Sequence, residues 1–179
     1  DLAPTILEIG DAEELPEIGF EQPGWTLGQA TTLEDGVVRV EGGPGYRATR
    51  FRLPARAVGR RPFYFTVDVR LRGIEPGKEM WSTPKIKIDH QGPPQRSVRK
   101  FQPGECETWT QVTVGHKLLG GNLPDEVILE VAMQDCGGVA EFRHPRLTFE
   151  HPPVEVRYPF PRPEQTDAQM RIDTSVSRP

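Results

Sequence analysis

From Phe63 to Arg72 the chain alternates without a break. Phe63, Phe65, Val67, Val69 and Leu71 are apolar, and Tyr64, Thr66, Asp68, Arg70 and Arg72 stand between them. A period of two puts all five apolar side chains on one face of an extended strand, whereas a helix would scatter them around its axis. Such a strand needs a second apolar surface to cover it, which points to a layered β-structure. Composition closes the helical alternative. The 179 residues include 18 Gly and 19 Pro, about twice average usage, and these are the two poorest helix formers.

Shorter runs repeat the pattern. Val38 and Val40 share a face, as do Phe51 and Leu53, Ile86 and Ile88, and Val112 and Val114; Val127, Leu129, Val131 and Met133 form the longest of them, and Phe142, Leu147 and Phe149 close the series around Pro145. Turn signals separate the runs at Gly42-Gly43-Pro44-Gly45, Glu75-Pro76-Gly77, Gly92-Pro93-Pro94, Pro103-Gly104, Gly120-Gly121-Asn122 and Gly137-Gly138. The spacing predicts an all-β fold, an antiparallel β-sandwich of jelly-roll type, with about eight or nine short strands. Residues 1–151 form this domain, with an edge strand at Thr5–Ile9 and an acidic loop from Asp11 to Glu17. Residues 152–179 read as a proline-rich tail or linker, an extension toward a further domain in a longer parent chain.

The net charge of −4 argues against a nucleic-acid-binding domain, which needs a concentrated basic surface. No apolar run is long enough for a transmembrane helix, so no membrane partner is expected. The start at Asp1-Leu2-Ala3-Pro4 fits a mature secreted protein, extracellular or periplasmic, or a trimmed chain. Cys106 and Cys136 bear on the same point. If the runs beside them pair as a hairpin centred near Gly121, the two cysteines face one another and a cross-strand disulfide fits an oxidising compartment.

Catalytic signatures are sparse. His90, His116, His144 and His151 are isolated and sit beside turns or prolines, unlike the close His spacing of a metal site, and the metal content stays unknown. There is no G-x-S-x-G elbow. Asp68, Glu130 and Glu141 are widely separated carboxylates that only folding can bring together. A binding surface has more support. Tyr64, Asp68 and Arg70 stand on the non-core face of their strand, Trp109 and Gln111 on that of the next, and Gln134 on that of the longest run, with Trp81 just ahead of Lys85. Flat rings stack on the apolar C–H faces of sugars, and polar side chains fix the hydroxyls. Trp25, at a Pro-Gly-Trp turn, reads instead as a plug at the sandwich edge.

Three segments carry a family resemblance: Phe20-Glu21-Gln22 with Gly24-Trp25-Thr26, then Phe63 to Arg70, then Trp109-Thr110-Gln111-Val112-Thr113-Val114. Together with the closing stretch Gly138 to Leu147 they resemble the carbohydrate-binding modules of the family 4, 9 and 22 jelly-roll group, over residues 18–150. The resemblance implies a non-catalytic module that binds a plant or microbial polysaccharide, β-glucan or xylan-like, and targets a catalytic domain of a glycoside hydrolase in the same parent chain. It also implies a structural calcium held in part by an Asp pair in the last strand. His144-Pro145-Arg146 stands there instead, leaving Glu21 or Glu141 as carboxylates that would contribute. Two alternatives stay open at this level: a polysaccharide lyase or glycoside hydrolase working in a β-sandwich groove, and a structural accessory domain that packs on a catalytic domain.

Overall fold

A computed structural model describes residues 15–90 and 96–152. The strand expected at Thr5–Ile9, most of the acidic loop, the turn at 92–94 and the tail from 153 onward lie outside the described residues. Eight antiparallel strands are formed: β1 (Trp25–Thr26), β2 (Thr31–Glu34), β3 (Val37–Pro54), β4 (Phe63–Glu75), β5 (Pro84–His90), β6 (Ser97–Lys100), β7 (Thr110–His116) and β8 (Glu126–Thr148). Two of them, β3 with 18 residues and β8 with 23, run the length of the molecule side by side.

That pair organises the sandwich. The first part of β3 (Val37 to Glu41) pairs with Val139–Arg143 of β8, β2 flanks β3, and β4 then β7 extend the layer beyond β8. The second part of β3 (Tyr46 to Pro54) pairs with Glu126–Gln134, β1 flanks it, and β5 then β6 lie on the far side. The first layer is called here the back sheet and the second the front sheet. Both contribute to one core: Val38, Val40, Phe63, Phe65, Val67, Val69 and Phe142 from the back, and Leu53, Ile86, Ile88, Val127, Leu129 and Val131 from the front. The alternation read in 63–72 is therefore the inward face of β4. Ser97 Oγ lies 2.9 Å from His116 Nδ1, tying β6 to β7 where the two sheets meet. Trp25 plugs the opposite edge. Its indole N–H donates to the Ile18 carbonyl at 2.8 Å, and its ring packs 4.6 Å from Phe20 and 5.3 Å from Phe51.

Two expected turns are bends inside continuous strands. Gly42–Gly45 and Gly137–Gly138 face one another where β3 and β8 cross from one sheet to the other, and the register shifts there. The backbones come too close for side chains. A Cβ on Gly42 would lie 2.5 Å from the Cys136 carbonyl oxygen, and one on Gly138 would lie 2.4 Å from that of Gly73. Pro145, expected to interrupt the final strand, sits at a bulge opposite β4, with His144 in the left-handed region at φ 50°. Bulges are where a sheet tolerates a missing N–H.

The disulfide is not formed; Cys106 and Cys136 are free thiols. The hairpin that would have joined them does not exist, because β7 pairs with β4 and β8 with β3, β4 and β5. Cys106 accepts a hydrogen bond from Leu71 N on the β7 side of β4, while Cys136 faces Gly43 across β3. With β4 lying between, and Cys136 four residues along β8 from the Ala140 that faces Leu71, the separation exceeds two strand spacings of about 10 Å, beyond the roughly 7 Å that a disulfide spans between Cα atoms. Burial pushes both thiols above their ordinary pKa. Thiol titration in denaturant without reductant should therefore count two thiols per chain, and a count of zero would restore the bridge.

Candidate functional site

The outward face of the back sheet gathers most of the residues singled out in the sequence. Tyr64, Asp68 and Arg70 lie on β4, with Asp68 opposite Gln111 of β7 and Trp109 just before that strand. The face is a web of ion pairs. Arg70 donates to Glu141 at 2.6 Å, and Arg39 and Arg72 approach the same carboxylate at 3.6 and 3.5 Å. Asp68 is met by His144 at 3.0 Å and Arg143 at 3.5 Å, not by Arg70. Arg146 donates to Gln111 at 2.8 Å. The aromatic rings here already have partners. The guanidinium groups of Arg143 and Arg70 lie 4.1 and 4.5 Å from the centre of Trp109, and His151 packs edge-on to Tyr64 at 4.9 Å.

This arrangement also bears on calcium. Burial alone would favour a protonated Glu141, but hydrogen bonding to Arg70 and the charges of Arg70, Arg72 and Arg39 hold its carboxyl below the usual range. Three cations around one carboxylate repel a metal ion, and the bulge that follows brings His144 and Arg146 rather than acids. Glu141 does not fit a calcium ligand, and among the described residues no cluster of three or more His, Cys, Asp or Glu could hold a metal.

Trp81 and Gln134 lie elsewhere, on the front sheet, whose outward face points away from the first. The structure thus divides the sequence-derived set between two surfaces. Between them on the front stands Tyr46, which the sequence reading passed over. Tyr46 pairs with Gln134 across β3 and β8, and its hydroxyl donates to Glu130 at 2.9 Å. That bond, to a residue four positions along the neighbouring strand from its own pairing partner Gln134, draws the ring across the sheet toward Ala48 and Ala132, the small residues that share the face. Ala132 is fully buried although it faces outward. Arg50, Lys85 and Lys87 ring the aromatic plane, each 5.7 Å from its centre. Tyr46 is 38% exposed and Trp81 is 46% exposed.

Beneath Tyr46 lies a charged anchor. The Glu130 side chain is only 3% exposed and receives Arg50 at 2.5 Å and Lys87 at 2.6 Å. Its burial favours the neutral acid, but the hydrogen bonds from Lys87, Arg50 and Tyr46 and the Lys87 charge win and lower its pKa. Burial likewise opposes the Lys87 charge, yet the bonds to Glu130 and Asp89 raise its pKa. Tyr46 is pushed up to about 12 by burial and by the Glu130 charge. The phenol stays neutral at any physiological pH and donates steadily.

Lys85 is buried, and its ammonium donates to the Trp81 carbonyl and to Gln134 Oε1, both at 2.7 Å. It thereby ties the two aromatic neighbours and the amide into one surface. A signal for Tyr46 existed in the sequence. Continuing the β3 parity backward from Arg52 and Arg50 through Ala48 places Tyr46 outward, but the Gly-Pro-Gly segment ahead of it carries the signal of a turn, which hides the strand's continuation.

Solved carbohydrate-binding modules share similarity with this structure. A CBM4 structure aligns with a TM-score of 0.49 and 12% identity, covering 78% of this chain and 96% of that one. The CBM22-1–GH10 modules of an endo-1,4-beta-D-xylanase from Clostridium thermocellum, complexed with xylohexaose, align with a TM-score of 0.45 and 15% identity over 81% of this chain and 29% of that one. A family 29 carbohydrate-binding module gives 0.41 and 14%, over 74% and 83% of the two chains. No family model and no curated protein matches the sequence.

Proposed function

We propose that the chain is a non-catalytic carbohydrate-binding module whose site is the outward face of the front sheet. The observation that carries this reading is the Tyr46 ring, drawn across the sheet by its bond to Glu130 and left half open to solvent. A ring held in this way offers a sugar a stacking surface that is already ordered, so little side-chain freedom is lost on binding. Trp81 supplies a second exposed ring, and Gln134, Lys85, Lys87 and Arg50 supply hydrogen-bonding groups around it. Binding is reversible and targets an attached catalytic domain in a longer parent chain to its polysaccharide outside the cell.

The rings of the back sheet support stacking less well, because guanidinium groups cover Trp109 and His151 abuts Tyr64. A hydrolytic reading has less support as well. A glycosidase needs one carboxyl kept protonated near neutral pH, whereas Glu130 and Glu141 are both held as anions by lysine and arginine.

Affinity electrophoresis through gels containing polysaccharides tests the proposal. The wild-type chain should be retarded in at least one gel. Tyr46→Ala should weaken that retardation at least about tenfold, the loss of one stacking contact, while Tyr46→Phe should retain most of it. Retardation lost with Tyr64→Ala and kept with Tyr46→Ala would move the site to the back sheet. Unchanged mobility of the wild type in every gel would refute carbohydrate binding.

A further inference from the structure

The charges around Tyr46 do not balance. Arg50 and Lys87 are met by Glu130 and Asp89. Lys85 has no carboxylate partner among the described residues; its two acceptors are a backbone carbonyl and the Gln134 amide, both neutral. An ammonium carries three donors, so one is left for something else. Directly opposite Lys85 on β6 stands Lys100, likewise without an ion pair among the described residues. Like charges paired across neighbouring strands destabilise a sheet, and the burial of Lys85, a residue only 5% exposed, adds a desolvation cost. Burial, Lys100 and Lys87 together lower the Lys85 pKa. The fold tolerates two cations without carboxylate partners on the sheet that carries Tyr46, an arrangement that an incoming anion would relieve.

We propose that the front face takes an acidic saccharide, a uronic acid residue whose ring stacks on Tyr46 and whose carboxylate is received by Lys85 and Lys100. The proposal rests on the carbohydrate-binding reading above and sharpens its ligand class from a neutral glucan or xylan backbone to a carboxylate-bearing chain. The geometry suits it. Lys85 Nζ stands 5.7 Å from the Tyr46 ring centre, so a carboxylate at the edge of a stacked pyranose falls near the ammonium. Charge-assisted hydrogen bonds from ammonium to carboxylate are roughly twice as strong as neutral ones, which turns the unbalanced pair into a selectivity device. Glu130 and Asp89 are spent on Arg50 and Lys87 and do not neutralise it.

The test pairs each acidic polymer with its own neutral form. Polygalacturonate and alginate are compared with the same chains after reduction of their carboxyls to alcohols, by affinity electrophoresis or calorimetry at physiological salt. A uronate polymer should bind about tenfold or more tightly than its reduced counterpart. Lys85→Met should remove that preference, and so should the less buried Lys100→Gln, which protects the result if the first variant folds poorly. Arg72→Gln, on the back sheet, should leave the preference intact and so separates this face from general attraction to positive charge. If the reduced polymer binds equally well, or only neutral glucans bind, the acidic ligand is wrong while carbohydrate binding stands. Preference lost with Arg72→Gln and kept with both lysine variants would place the anion on the other face and overturn the assignment. If neither form of any polymer binds and neutral glucans also fail, the carbohydrate-binding reading falls together with the inference built on it.

Discussion

Glu130→Gln should cost about 3 kcal/mol of stability, the effect of removing one partner from a buried ion pair. The carboxylate is almost entirely enclosed and receives three donors from two strands: Arg50 and Tyr46 from β3 and Lys87 from β5. Glutamine fits the space, but its uncharged oxygen leaves the Lys87 ammonium half buried against Asp89 alone. The pH dependence carries the same signature. Because the folded-state pKa of Glu130 is depressed, its contribution is fully present above the unfolded value of about 4.3 and is lost as pH falls through the lower folded value. Glu141, also depressed, acts in the same direction. Thermal unfolding followed from pH 7 downward should therefore stay level until roughly pH 4–5 and then fall steeply, and Glu130→Gln should start lower and fall less. An unchanged melting temperature and an unchanged acid limb would show that the anchor under Tyr46 contributes nothing.

The second large effect lies at the crossing of β3 and β8. Gly138 has φ +95°, and an added Cβ would meet the Gly73 carbonyl oxygen at 2.4 Å and that of Arg72 at 2.7 Å. Both obstacles are backbone atoms of β4 and cannot swing aside. Gly138→Ala should therefore cost about 3 kcal/mol, combining roughly 1–2 for the left-handed conformation with a similar amount for overpacking. Gly45 provides the contrast. Its φ of +89° is comparable, yet nothing lies within 4 Å of its Cβ position, so Gly45→Ala should cost only the conformational part, about 1–2 kcal/mol. Urea unfolding of the two variants measures the difference. Equal midpoints would mean that the sheets do not need the close approach at Gly138.

Much of the fold was legible in the alternation. The inward face of β4 was named correctly because period two is a local property: each residue's side follows from its neighbour's. Gly-rich segments were harder, since the same lack of a Cβ serves a turn that ends a strand and a bend that continues one. Reading Gly42–Gly45 and Gly137–Gly138 as turns divides β3 and β8 into short pieces, and reading Gly120-Gly121-Asn122 as a hairpin turn joins β7 to β8, the pairing that would set Cys106 opposite Cys136. Parity also separates inward from outward without saying which layer a strand joins. Tyr64 and Gln134 both have the parity of the non-core face, yet they stand on different sheets.

The sequence by itself determined that this chain is an antiparallel β-sandwich, because burial of alternating apolar residues is decided within each strand and Gly and Pro exclude the helical alternative. It also carried the polar and aromatic residue types from which a binding surface is made. Only the tertiary structure decided which of them meet. Glu130 lies 84 positions from Tyr46, and the bond between them, which orders the ring, exists only because β3 and β8 run side by side. The imbalance of charge at Lys85 and Lys100 is equally invisible in a residue count, since it depends on which carboxylates other cations have already taken.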